Sequence, residues 1–568
     1  MQIIHNCADA AASTVDVWLN GNLLLDNVDF RTATPFIDAP SGVPLTVGIA
    51  PANSTSSADA LFEQTFTLAA DAKYIIVASG IVSPTGYSPA QPFQLAVYDM
   101  AQTSATSGST DVLVYHGSTD APTVDVFESR VLNATAVNDI SYGEFAGYLS
   151  LPTDDYTLQV RDAANSTIVA SYAAPLAALG LDGAALTVLA SGFLNPAANS
   201  NGPAFGLYVA LASGGALIPL PAVAIPTARV QVVHNCADLA AASVDVWVNN
   251  TLLLDNFAFR TASPFVDVQA GVPFVVSIAA PNSTDTVGAI AQYTFNLDEG
   301  GSYQVVATGI VSGSGYSPAQ PFTLAVYDMA REAAVGGAST TDMLVYHGST
   351  DAPTVDVYES AVLNATAVND ISYGEFAGYL ELPTADYTLQ VRDAANSTIV
   401  AAYSAPLSTL SLGGAAITVF ASGFLNPAVN SNGPAFSLYV ALASGGPLVP
   451  LPSAAIPTAR VQVVHNAADL AAASVDVWLN NTLLLDNFAF RTASPFVDAQ
   501  AGVPFVVSIA APTSTDTVGA IAQYTYTLAE GGSYILVANG IVSASGYSPV
   551  KPFDIYVTGG AREVATNP

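Results

Sequence analysis

The five histidines of this 568-residue chain are His5, His116, His234, His347 and His465. Each opens one recurring phrase: His-x-x-x-Asp, followed by an aspartate inside a Val-Asp-Val strand. The phrase supplies His5/Asp9/Asp16, His116/Asp120/Asp125, His234/Asp238/Asp245, His347/Asp351/Asp356 and His465/Asp469/Asp476. An imidazole beside carboxylates could bind a divalent ion or relay a proton. The same residues also suit a structural role. The histidine would close a strand, and the first aspartate would cap the turn through backbone hydrogen bonds. No nucleophile motif and no glycine-rich phosphate loop accompanies the phrase. Five copies of one reaction centre would be odd, so the structural reading is preferred. The chain is read as a non-enzyme, with no catalytic residue, no metal ligand set and no cofactor.

Three further residue sets could carry chemistry. Cys7 and Cys236 occupy equivalent places, and the third such place holds Ala467. One cysteine per unit cannot close a bridge within that unit, so buried apolar residues are expected. An intermolecular bridge is the alternative. Asn-x-Ser/Thr sequons at Asn53, Asn133, Asn165, Asn249, Asn282, Asn364, Asn396 and Asn480 are glycan acceptors in a host that glycosylates. Aromatic-proline segments, GYSPAQPF at 86–93 and 315–322 and GYSPVKPF at 546–553, suit either a binding loop or a plug at a domain end.

The elements that position these residues repeat. Successive histidines lie 111, 118, 113 and 118 residues apart, so each repeat is a domain rather than a short solenoid turn. Two unit types alternate. Type A carries VQVVHNCADLAAASVDVWVNNTLLLDNFAFRTASPF, and type B carries DVLVYHGSTDAPTVDVFESRVLNATAVNDISYGEFAGYL. The order is A1 (1–108), B1 (109–220), A2 (221–338), B2 (339–451) and A3 (452–568). Within each unit, short runs of Val, Leu, Ile, Phe and Tyr alternate with polar residues and stop at Gly, Pro, Asn or Asp. Asn20-Gly21 is a hairpin signal. Seven or eight such runs per unit predict an all-β chain of five tandem antiparallel, immunoglobulin-like β-sandwich domains, with a barrel as the alternative. The small polar A-to-B joints, 101–110 and 331–340, are expected to be loose. The proline-rich B-to-A joints, 217–229 and 448–460, are expected to be stiff extended spacers.

Composition narrows the function. With 12 basic against 45 acidic residues the net charge is −33, which repels phosphate backbones and anionic lipid. Nucleic acid is therefore excluded as a partner. The uncharged stretch between Asp182 and Arg229 is broken by glycines, prolines and asparagines, so no membrane span is expected. Met1 stands inside the first strand pattern, which reads as a processed chain or a piece of a longer one.

The B phrase HGSTDAPTVDVF, followed by YGEFAGYLSLPTDDYTLQV, resembles the secreted domain-of-unknown-function 4397 family. The A phrases are similar more loosely, with Ala-Ala-Ala-Ser before Val-Asp-Val. That resemblance implies a secreted or cell-surface setting and carries no reaction with it. The expected function is an extracellular structural or adhesive protein, a subunit or stalk of a fibre built from repeated β-domains. Its partners would be copies of itself, assembled head to tail, or other surface proteins and glycans. A multivalent glycan- or protein-binding array is the alternative.

Overall fold

The computed structural model describes residues 1–564. The chain is all-β, and its described residues form ten sheets that pair into five sandwich domains. In A1 one sheet holds Gln2–His5, Thr32–Ala33, Ile75–Ser79 and Gln94–Tyr98. The other holds Thr14–Leu19, Asn22–Asp29, Pro44–Pro51 and Phe62–Thr67. Side chains alternate across each strand. Ile3, Val15, Val17, Leu45, Val47, Ile49 and Ile76 thereby meet between the two sheets as the A1 core. The Asn20-Gly21 turn has φ of 47° and 81°, as a hairpin matched to strand twist requires.

Most pairings are antiparallel, but among the described residues each unit contains one parallel pair of strands. Gln2–His5 lies parallel to Ile75–Ser79, and in B1 Ser109–His116 lies parallel to Ala185–Ser191. Parallel neighbours need a long crossover. Here the second sheet supplies it, which leaves the histidine strand with a neighbour on either side in its own sheet.

The joints are not free chain. In the first A-to-B joint, the Ala105 N–H donates to the Gly183 carbonyl at 2.8 Å and the Gln102 N–H to the Tyr148 hydroxyl at 3.1 Å. In the second, Arg331 Nη1 meets Asp342 at 2.6 Å and Glu381 at 2.8 Å. The expected looseness is thus replaced by fixed hydrogen bonds and ion pairs. The proline-rich joints lie along the edge of the preceding B sandwich instead of spanning open solvent. The Ser404 N–H donates to the Pro452 carbonyl and the Ala454 N–H to the Ala402 carbonyl, both at 2.8 Å. Proline can accept but not donate, so it suits an edge position.

The histidine-aspartate phrases and the A–B seam

Each histidine ends an interior strand of its sheet, flanked by a strand on either side, and is buried. His5 Nε2 bonds the Ala12 carbonyl at 2.7 Å, and His234 and His465 repeat that bond with Ala241 and Ala472. In the B units, His116 and His347 reach the carbonyls of Pro122 and Pro353 at 3.1 Å. Burial lowers His5 and His234 from 6.5 to about 4, only partly offset by the carbonyl bond, so both rings are neutral near pH 7.

In the A units the first aspartate caps its turn and also ties it to a distant loop. Asp9 accepts from the Ala11, Val82 and Ser83 amides at 3.0, 2.8 and 2.6 Å, and from the Ser83 hydroxyl at 2.7 Å. Burial opposes its charge, but these four donors prevail and hold its pKa below the ordinary value. Asp469 repeats the pattern with the amides of Ala471, Val542 and Ser543.

The B units depart from the expected turn cap. Asp120 accepts from the amides of Leu194 and Asn195 and from Asn199 Nδ2. Asp351 accepts from the amides of Leu425 and Asn426, both at 2.7 Å, from Asn430 Nδ2 at 2.9 Å and from Ser349 Oγ at 3.3 Å. Among the described residues no backbone amide of its own turn donates to Asp351. The reason lies two positions on. The amide that caps an A turn belongs to Ala11 or Ala471, whereas Asp351 and Asp120 are followed there by Pro353 and Pro122, which have no N–H. Asp351 is therefore a tether to the 425–430 loop, neither a cap of its turn nor a partner of His347.

The strand aspartate belongs to a separate network. Asp16 accepts from the Asn27 amide at 2.9 Å and from Ser54 Oγ at 2.5 Å, and Ser54 Oγ accepts in turn from Trp18 Nε1 at 2.9 Å. Asp245 and Asp476 repeat this with Ser283/Trp247 and Ser514/Trp478. Asp125 instead takes the Asp139 amide and Asn165 Nδ2, and Asp356 takes Asp370 and Asn396 likewise.

Among the described residues no histidine bonds either carboxylate of its phrase, and no group of three or more His, Cys, Asp or Glu is placed to hold a metal ion. The residues adjacent in the phrase are therefore divided among three tasks: closing a strand, tying a turn and pinning a hairpin.

Cys7 and Cys236 are free and buried, each donating to a glycine carbonyl at 3.0 Å, and burial pushes both thiols up to about 12. Of the sequons, Asn53, Asn133, Asn282 and Asn364 are exposed. Asn165 and Asn396 are half-buried and use their amides on Asp125/Arg161 and Asp356/Arg392. In a glycosylating host, site-resolved mass spectrometry should find glycans at the four exposed sites and none at Asn165 or Asn396. An intact mass equal to the bare 57.9 kDa would contradict this.

The pH dependence follows from the histidines. As pH falls from 6.5 toward 4 the unfolded chain takes up protons that His5 and His234 refuse in the fold, so stability falls through that window. Each contributes on the order of 3 kcal/mol across it. Urea midpoints at pH 7, 5.5 and 4.5 should drop in sequence, and a flat profile would contradict the buried neutral state.

A second set of residues joins A1 to B1 through polar and apolar contacts. In A1 the strand Gln2–His5 is buried on both faces. Ile3 faces its own sandwich, whereas Ile4, Ile75, Val77 and Ala33 meet Leu113, Tyr115, Leu189, Ala210 and Leu217 of B1. The Gly215–Ala216 strand of B1 then pairs with Thr32–Ala33 and extends the A1 sheet.

Arg31 crosses this seam. Its Nε donates to Ser191 Oγ at 3.0 Å and its Nη2 to the Ala204 carbonyl at 3.0 Å, with the guanidinium 3.9 Å from the Tyr208 ring centre. Gln2 Nε2 and Asn6 Nδ2 cap the carbonyls of Leu211 and Ala190. Within the second pair, Arg260, Gln231 and Asn235 do the same to B2. The GYSP loops close the seam's rim. Tyr87 packs against Phe193 at 5.6 Å, and the Ser88 N–H donates to Asn199 Oδ1. In A1 and A2 the aromatic-proline segment thus packs on the neighbouring B domain.

One residue type could have revealed the seam. The chain has only 12 basic residues, and three of them, Arg31, Arg260 and Arg491, follow the same Phe in each A unit.

Two-sheet sandwiches in tandem, with the polar residues of their phrases bonded internally, define a class of repeated all-β domains. The family whose description is "Domain of unknown function (DUF4397)" matches residues 1–127, 110–200, 228–338, 341–433 and 459–554. The chain belongs to this family, as five tandem domains. No curated protein matches it. Among solved structures it is similar to the Bacillus anthracis TIE protein at 9% identity and a TM-score of 0.13, covering 93% of this chain and 74% of that one. It is also similar to the pilus adhesin SpaC from Lactobacillus rhamnosus GG at 11% identity and a TM-score of 0.13, covering 58% and 42%. Scores that low carry no argument about arrangement or function.

Proposed function

We propose that the protein is an extracellular structural or adhesive component of a cell surface, a subunit or stalk of a fibre built from paired A and B domains. The observation that supports this most is the seam. An interface with an extended sheet, a buried aromatic-aliphatic core and a crossing arginine makes each A–B pair mechanically continuous. A repeated chemistry would need accessible groups, but the histidines and aspartates of all five phrases are buried or bonded internally. The acidic, nearly lysine-free composition suits a soluble exterior component.

Copies of the chain, or other surface proteins and glycans, are the partners this reading calls for. Sedimentation of the purified chain over a wide concentration range, with protease shaving of intact source cells, tests it. The reading expects self-association and removal of the chain by shaving. A chain that stays monomeric at all concentrations and survives shaving until the cells are lysed would overturn it.

A further inference from the structure

A2 and A3 contain the same segment, TARVQVVHN, at 227–235 and 458–466. In A2 the strand Thr227–His234 is buried on both faces from Val230 onward. In A3 the strand Thr458–His465 alternates between buried and partly open. The difference lies in what covers the outer face. Val233 is fully buried against B2, but Val464 is not. Gln231 Nε2 has two carbonyl partners, whereas Gln462 Nε2 has one of them, Ser494. The edge pair Thr261–Ala262 is extended by Gly446–Pro447 of B2, whereas its counterpart Thr492–Ala493 is exposed and, among the described residues, has no strand beyond it. Arg491 keeps the left-handed backbone of Arg31 and Arg260, with φ of 65°, 64° and 60°, yet its side chain is exposed.

We infer that this face of A3 is a docking surface for one more B-type domain, the kind of domain that covers the corresponding faces of A1 and A2. The occupant is specified by the two seams already in the chain. It must offer a two-residue edge strand to Thr492–Ala493 and a serine hydroxyl and carbonyl to Arg491. It must also offer carbonyls to Gln462 and Asn466, and an apolar face to Val464, Ile535 and Val537.

The A3 face differs from that of A2 at two places. Ile535 stands where A2 has Gln304, which donates to Thr418 of B2, and is apolar there like Ile75 of A1. The edge aromatic is also moved. In A2, Tyr327 packs against Phe376 at 5.2 Å and Tyr379 at 5.8 Å. A3 has Thr558 there and carries its aromatic two residues earlier, as Tyr556, 58% exposed on the same face. The face thus remains apolar but is shaped for a B domain whose aromatic recess is displaced by one side-chain repeat. The inference rests on the seam geometry alone and stands whether or not the chain reaches a cell surface.

The test appends a second copy of residues 333–452 to the full chain, which supplies a B domain to A3 at high effective concentration. Hydrogen exchange is then followed in peptides covering 490–496 and 533–539. Protection at both should rise at least tenfold over the unextended chain. Arg491→Ala in the extended chain should remove most of the gain, and Tyr556→Ala with Thr558→Tyr, which restores the A2 aromatic, should deepen it. Unchanged exchange at these peptides, with the appended domain's own strands protected, would overturn the inference. An appended domain that stays unfolded, both as this copy and as residues 102–221, also counts against it, since the same sequences fold on A2 and A1. So does concentration-dependent protection of these peptides in the unextended chain, which would assign the face to a second copy of A3.

Discussion

Replacing Tyr115 with Ala is expected to open the A1–B1 seam at a cost of about 3–5 kcal/mol, the range for truncating a fully buried aromatic. Tyr115 is completely buried, lies 4.6 Å from the Phe145 ring centre and shares a 2.7 Å hydrogen bond with Ser79. Its truncation leaves a cavity between two domains that each keep their own core, so the domains should separate before either unfolds. Hydrogen exchange would then rise in peptides covering residues 30–36 and 213–219, while the equivalent peptides at the A2–B2 seam stay protected. Tyr115→Phe should cost only about 1 kcal/mol, the usual net contribution of one hydrogen bond. Equal effects from the two variants would mean that the hydroxyl, not the ring, holds the seam.

Asp238→Ala is expected to cost on the order of 3 kcal/mol and to loosen A2 from within. Its carboxylate accepts from the Ala240, Val311 and Ser312 amides at 2.9, 2.9 and 2.7 Å, and from the Ser312 hydroxyl at 2.8 Å. Alanine leaves those donors facing a low-dielectric interior. Chemical denaturation followed by exchange in residues 309–322 should show the loss there first. Because these donors hold the Asp238 carboxyl below its ordinary pKa, its contribution is present above the unfolded value and is lost as pH falls through the folded one. The difference between wild type and variant should therefore shrink in strong acid. A variant as stable as wild type at pH 7 would show that the turn is held elsewhere.

The fold is legible in the sequence because its signals are local. Alternating TVDVWL, the Asn20-Gly21 turn and the recurring histidine phrase give strands, hairpins and the A-B-A-B-A order directly. The parallel pairing of each histidine strand is not legible, because it depends on which distant strand lies beside it. The seam sits between these cases. QIIH and QVVH are unbroken where a one-sided strand would alternate, and such runs signal burial on both faces. Yet the same QVVH is buried on both faces in A2 and only one in A3, so the sequence alone cannot say what lies opposite. The joints illustrate the same limit. Ala101–Thr110 has the composition of a linker, and its order comes from Tyr148 and Gly183, which are distant in the chain.

For the phrase residues, residue type points to the structural task but spacing does not give the grouping. Spacing suggests that His5, Asp9 and Asp16 could converge. Instead the strand ends at His5, the turn begins at Asp9, and Asp16 lies in the second sheet beside Ser54. His347, Asp351 and Asp356 diverge in the same way, with Asp351 held by a loop some 75 residues away that no local pattern announces. Glu128 and Glu359 carry no sequence signal at all. Each accepts four backbone amides, from residues 130–132 and Thr157, or from 361–363 and Thr388. A single glutamate at the end of a strand gives no sign of that in sequence.

Immunogold electron microscopy of the source cells, with antibody against the A–B pair, tests the structural role most directly. The account predicts gold on filaments, stalks or a continuous layer outside the cell. Label confined to the cell interior, with no assembled material carrying it, would contradict it.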